Sequence, residues 1–174
     1  DTQNSLRDGL LTVVLPAYNE QDSVPLAADT ICPLLEKEGI RHEILFVNDG
    51  SRDGTWKAIQ AQTARHPQVR GVCFSRNFGK EAAIFAGLAQ AKGDCAVVLD
   101  CDLQHPPEKI VEMYRLWQQG YQVVEGVKVT RGKESPLHTL AAKTFYHFIS
   151  SATKIDMSRA SDFKLLDRRA VDVL

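Results

Sequence analysis

Val97-Val98-Leu99-Asp100-Cys101-Asp102-Leu103-Gln104-His105-Pro106-Pro107 decides how the chain is read. An apolar run ends abruptly in two carboxylates two residues apart. A Gln follows two residues later, and a proline pair stops any strand. The run reads as a buried strand that delivers Asp100 and Asp102 to a sheet edge, where hard oxygen ligands can hold a divalent cation. An Asp-x-Asp triplet also suits a solvated turn, so the surrounding chain has to decide between the two.

Working outward, short apolar runs alternate with helical patterns. Strands are expected at 10–15, 43–47, 69–74, 94–99 and 122–127, and helices at 23–38, 56–65, 81–91 and 107–119. Pro16 bounds the first strand, and Pro33 is expected to kink or split the first helix. Gly39, Gly93 and Gly120 close helices. Four strand–loop–helix units in succession predict an α/β fold, a predominantly parallel sheet with helices on both faces. In such sheets ligands bind beyond the carboxyl ends of the strands. The polar clusters share that address: Asn19 and Glu20, then Asp49, then Arg76 and Asn77, then Asp100 and Asp102.

Composition narrows the classes. The chain has 174 residues, 44% of them hydrophobic and 25% charged, which suits one globular domain with a sizeable core. A net charge of -1 gives no bulk electrostatic case for nucleic acid. Cys32, Cys73, Cys95 and Cys101 form no CxxC pair and read as reduced core residues of a cytosolic domain. Neither GxGxxG nor GxxxxGK[ST] is present, so the acids at the strand ends suggest that a metal bridges a diphosphate to the protein. The five histidines lack metal-ligand spacing, and His105 reads as a turn residue. Trp56 and Trp117 read as packing residues, and Glu81 as an acid at a helix start.

Residues 1–9 are polar and expected to fray. Residues 128–135 are basic, and Leu137, Leu140, Ala141, Thr144, Phe145, Phe148 and Ile149 recur at helical spacing. That amphipathic helix suits packing on the sheet, and also a position near a membrane with the basic loop facing anionic phosphate. Residues 161–169 read as a short strand entering a helix. No apolar run approaches the ~20 residues needed to cross a bilayer. The chain starts without Met and stops in what reads as the first turns of a helix, so a fragment is expected.

Four motifs in order resemble the family 2 inverting glycosyltransferases: Leu15-Pro16-Ala17-Tyr18-Asn19-Glu20, Val47 through Thr55, Ser75-Arg76-Asn77-Phe78-Gly79-Lys80-Glu81, and Asp100-Cys101-Asp102-Leu103-Gln104. Arg131 through Ser135, Phe145-Tyr146 and Ala160 through Arg168 resemble the branch that uses polyprenyl phosphates, with dolichol-phosphate mannose synthase and the bactoprenol glucosyltransferases. The resemblance implies a GT-A fold, with a nucleotide-binding half at 10–104 and an acceptor half at 105–174, stopping short of membrane-associated helices. It implies that Asp49 meets the nucleotide base, that Pro16, Tyr18 and Glu20 line the base and ribose pocket, and that Lys80 joins the cofactor-binding set. Asp100, Asp102 and Gln104 would hold Mg2+ or Mn2+ on the diphosphate of a UDP- or GDP-sugar. Asp162 would lie near the transferred sugar or acceptor, with Arg131 and Lys133 in a loop over the active site.

The partners implied are a nucleotide-sugar donor, a polyprenyl phosphate acceptor and, for a full-length parent, the cytoplasmic face of a membrane; this fragment is expected to be soluble. Where the family often has Gly-Asp-Phe-Arg, this chain has Ser161-Asp162-Phe163-Lys164, and Lys164 lacks the fork of Arg. Transfer to a glycan hydroxyl, or a nucleotide-sugar-binding domain or nucleotidyltransferase without glycosyl transfer, are the competing readings.

Overall fold

The structure, a computed structural model, describes residues 6–126 and 163–174. Six strands and five helices follow in the order β1 (Leu11–Ala17), α1 (Ser23–Lys37), β2 (His42–Asn48), α2 (Thr55–Arg65), β3 (Val69–Cys73), α3 (Lys80–Gln90), β4 (Cys95–Val98), α4 (Glu108–Gln118), β5 (Val123–Glu125), β6 (Lys164–Asp167) and α5 (Arg168–Val171). The strands form one sheet in the order β3-β2-β1-β4-β6-β5. β1 pairs in parallel with both β2 and β4, and β2 with β3. β6 is antiparallel to both its neighbours. The expected α/β class holds, and the inserted antiparallel strand is an addition to it.

The sheet separates two apolar layers. Leu11, Val13 and Leu15 of β1 point into a core with α1, α2 and α4, through residues such as Ile31, Ile59 and Met113. Val14 points the other way, toward Ala83, Ile84 and Leu88 of α3 and Val171 of α5. The two-residue alternation of a strand thus feeds both layers, so runs of Val, Ile and Leu serve where an alternating pattern would serve a half-exposed sheet.

The local punctuation differs from expectation in three places. Pro16 stays inside β1, because the pairing of β1 with β4 ends at Val14 and Val98 and the missing N–H leaves no ladder bond unmade. Pro33 lies inside an unsplit α1. It and Asp29, whose carbonyl it cannot bond, are both exposed. Residues 6–9 are docked where fraying was expected: Arg7 N–H donates to Gln118 O at 3.1 Å, and the Tyr114 hydroxyl donates to Gly9 O at 2.9 Å. Among the described residues no helix is long and apolar enough to cross a membrane.

Gly87 sets how closely α3 lies on the sheet. A Cβ there would stand 2.4 Å from Val14 Cγ1 and 3.2 Å from Val47 Cγ2, both on fully buried, stiff side chains. Helix propensity favours Gly87→Ala by about 1 kcal/mol, while overpacking a dense layer costs about 1–3 kcal/mol. The variant is expected to lose stability on balance, measured as a lower urea midpoint; a raised midpoint would show that α3 is free to shift.

Candidate functional site

The strand order reverses direction at β1. The chain moves outward through β2 and β3, then returns to place β4 on the other side of β1. The crevice expected of such a switch point opens where β4 leaves β1. It is a cleft of about 270 Å³ lined by Pro16, Ala17, Tyr18, Glu20, Asp49, Lys80, Asp100, Cys101 and Asp102. Seven residues named from the sequence therefore converge on one site from the ends of three strands and the start of α3.

Each wall is held locally. Asn19 and Glu20 donate their backbone N–H to Ser51 Oγ at 2.9 Å and Thr55 Oγ1 at 2.8 Å. Arg52 N–H donates back to Asn19 Oδ1 at 2.9 Å. These bonds stitch the loop after β1 to the loop after β2. Asn19 itself sits at φ 52°, a left-handed conformation that Asn tolerates. On the opposite wall Leu103 sits at φ 56°, rarer for a branched apolar side chain. It packs against the core, and His105 stacks on Phe163 at 4.9 Å between ring centroids. The turn carrying the two acids is thereby fastened to the start of β6.

Asp49 is the most enclosed acid of the cleft, at 4% exposure. Its carboxylate accepts from Phe78 N–H at 2.8 Å, Gly79 N–H at 3.1 Å and Asn77 Nδ2 at 3.2 Å. It latches the loop before α3 onto the end of β2. Gly50 beside it has φ 66°, and a Cβ there would fall 2.2 Å from the carbonyl carbon of Arg76. Only glycine lets the two loops approach this closely. Asn77, grouped in the sequence with the polar strand ends, acts here by fixing Asp49. Arg76 lies over the Phe78 ring at 4.8 Å and does not line the cleft.

The latch fixes the start of α3 and with it Lys80, whose Nζ lies 2.6 Å from Asp100 Oδ1. Asp102 is exposed at the cleft mouth, while Cys101 between the acids is 2% exposed and packs inward as expected. Burial, followed by the nearby charges of Glu20, Asp102 and Asp100, pushes its thiol up to about 12. Gln104 is exposed and lies outside the lining; its backbone N–H donates to Asp102 Oδ1 at 3.3 Å. Arg131, Lys133, Asp162 and the amphipathic pattern at 137–149 lie outside the described residues.

No group of three or more His, Cys, Asp and Glu placed to hold a metal occurs among the described residues. The donor set still fits an ion of the Mg2+ type, which takes one or two carboxylates and completes its shell with substrate phosphates and water. Asp100 and Asp102 supply those carboxylates on an open cleft. One cysteine expectation is corrected: Cys73 is exposed, since it ends the edge strand β3.

The mostly parallel sheet with a carboxylate-walled cleft at its switch point is a GT-A fold, shared with solved glycosyltransferases. Among solved structures, a mannosyltransferase from Pyrobaculum calidifontis in complex with GDP-Man and Mn2+ aligns at a TM-score of 0.61 and 25% identity, over 71% of this chain and 36% of that one. Glucosyl-3-phosphoglycerate synthase from Mycobacterium tuberculosis with Mn2+, UDP and glucosyl-3-phosphoglycerate aligns at 0.55 and 28% identity, over 67% of this chain and 43% of that one. The glycosyl transferase family 2 profile matches residues 12–172, and the chain belongs to that family. It is 38% identical over 162 residues to the uncharacterized glycosyltransferase YkcC of Bacillus subtilis, covering 92% of this chain and 50% of that protein. It is 37% identical over 164 residues to the bactoprenol glucosyl transferase of Shigella phage SfV, covering 93% of this chain and 53% of that protein. The chain thus spans about half the length of these curated relatives.

Two outcomes test this geometry. Asp49→Ala leaves the Phe78 and Gly79 amides unsatisfied, each worth about 1–3 kcal/mol when buried. Hydrogen exchange at residues 78–80 should accelerate while β1 and β2 stay protected; unchanged exchange would refute the latch. In the native chain a thiol reagent at pH 8 should modify Cys73 alone, leaving Cys101 protonated and shielded.

Proposed function

We propose that this chain is the catalytic domain of an inverting sugar transferase that moves a hexosyl unit from a UDP- or GDP-sugar to a polyprenyl phosphate. The observation that carries the reading is the convergence of Glu20, Asp49, Asp100, Asp102 and Lys80 on one cleft at the switch point. Support for the acceptor comes from the relatives named as bactoprenol glucosyl transferases. Support for the donor comes from neighbours holding GDP-Man or UDP.

In this reading Tyr18 and Pro16 flank the base and ribose, with Asp49 and Glu20 orienting them. Asp100 and Asp102 hold Mg2+ or Mn2+, which when bound supplies positive charge to the leaving nucleoside diphosphate. The acceptor phosphate oxygen is already ionised near neutral pH, so displacement at the anomeric carbon needs no strong base. Asp162 orients the sugar or acceptor, and Arg131 and Lys133 attract its phosphate. The full-length protein works at the cytoplasmic face of a membrane, where a polyprenyl phosphate presents its headgroup.

The test is transfer of labelled sugar from UDP-glucose, UDP-N-acetylglucosamine or GDP-mannose, with Mn2+ and undecaprenyl phosphate. Label is expected in an organic-extractable, mild-acid-labile lipid, with nucleoside diphosphate released. Label confined to a water-soluble glycan would overturn the acceptor, and release of pyrophosphate would overturn glycosyl transfer in favour of a nucleotidyltransferase. Asp100→Ala and Asp102→Ala should each lower metal-stimulated transfer on the order of 10³-fold, the rate equivalent of a few kcal/mol, with the thermal midpoint nearly unchanged. Full activity in both would refute the metal assignment.

A further inference from the structure

Beyond β4 the chain keeps its two-residue alternation for a few positions. Leu99 and Cys101 are buried in the core, while Asp100 and Asp102 line the cleft. The chain then turns. Leu103 N–H donates to Asp100 O at 3.3 Å, closing a four-residue turn with Cys101 and Asp102 at its corners. Leu103 closes it at φ 56°, and among the described non-glycine residues only Asn19 shares a positive φ. Asn tolerates that backbone, whereas a bulky apolar residue keeps it only where its surroundings hold it there. The hold is on the side chain: Leu103 packs against the core. From Asp102 to Glu108 exposed and half-buried residues alternate, with Leu103, His105 and Pro107 the half-buried ones. Gln104 N–H donates to Asp102 Oδ1 at 3.3 Å and continues the turn outward.

We propose that Leu103 is the positioning residue of the acid turn. Its packed side chain traps a left-handed backbone, and that backbone keeps the turn closed before any cation arrives. Two oxygens on one ion of the Mg2+ type lie within about 4 Å of each other. Residues two apart in an extended strand stand about 6.6 Å apart. A closed turn shortens that span, so Asp100 and Asp102 are offered to one ion together. Leu103 acts through the two acids, since its side chain packs on the core and does not line the cleft. This rests on the metal reading above, but on no particular sugar or acceptor.

Leu103→Gly and Leu103→Ala separate the backbone from the side chain. Both remove the packing, and only Leu103→Gly reaches positive φ at no steric cost. The full chain and the variants are titrated with Mn2+, alone and with UDP or GDP, read by electron paramagnetic resonance of the free ion against a protein-free blank. Leu103→Ala should bind Mn2+ about tenfold more weakly than the parent chain, because its relaxed turn has to return to the left-handed region on binding. Leu103→Gly should stay within about threefold of the parent, although both variants lower the urea midpoint through the lost packing. A side chain that served only as packing would make Leu103→Gly as weak as Leu103→Ala, or weaker. In an Asp102→Asn background the difference between the two variants should vanish. Leu103→Asn, polar but tolerant of that backbone, should match Leu103→Gly; a tenfold loss there overturns the positioning even if Leu103→Ala does not fold. Equal affinities of Leu103→Gly and Leu103→Ala, or a difference undiminished by Asp102→Asn, overturn the positioning and leave the metal reading standing. No Mn2+ binding by the parent chain under either condition overturns the metal reading and the positioning with it.

Discussion

The parallel pairing of β1 with β2 on one side and β4 on the other is the constraint from which the site follows. β1 is buried on both faces and bonded along both edges, so its carboxyl end has a fixed position between its two neighbours. The ladder to β4 ends at the Val14–Val98 pair, with Leu99 N–H still donating to Val14 O at 3.2 Å. The cleft lies beyond that end, lined by Pro16 and Ala17 from β1 and by Asp100 to Asp102 after β4. Pro16, which lacks an N–H to donate, stands where the ladder has already ended, so the residue that is poorest at pairing lines the opening.

Three of the four carboxylates described at this opening, Asp49, Asp100 and Asp102, have separate means of support. Asp49 is satisfied by backbone amides and the Asn77 side chain, Asp100 by Lys80, and Asp102 by solvent and the Gln104 amide. The three acids therefore differ in function. An acid that already accepts three hydrogen bonds is a positioning group first. An exposed acid and one held by a flexible ammonium keep lone pairs that a cation can claim. β6 lies on the far side of β4 from β1. Because it runs antiparallel, it begins at the cleft edge, with Lys164 opposite Val98, and Gly126 N–H donates to Phe163 O at 2.9 Å. The chain leaves β5 and re-enters β6 at the same edge that holds the acids.

The sequence by itself determined the α/β alternation, the family resemblance and the placing of acids beyond the strands. Those signals are local: an apolar run, a turn residue and a carboxylate beside them lie within a few positions of each other. The pairing of Asp49 with the 77–79 amides, the reach of Lys80 to Asp100, and the docking of residues 7–9 on α4 join positions tens of residues apart. Which surfaces meet there depends on strand order and helix packing, and that order is fixed by the burial of two apolar layers at once. The same reason explains the exposed Cys73, whose apolar surroundings in sequence hide an edge position in space, and the antiparallel β6, whose direction no run of Leu and Lys encodes. The residues of the cleft were thus legible from sequence, while their division into holders and ligands was decided only by the tertiary structure, because hydrogen-bond partners are assigned by three-dimensional proximity.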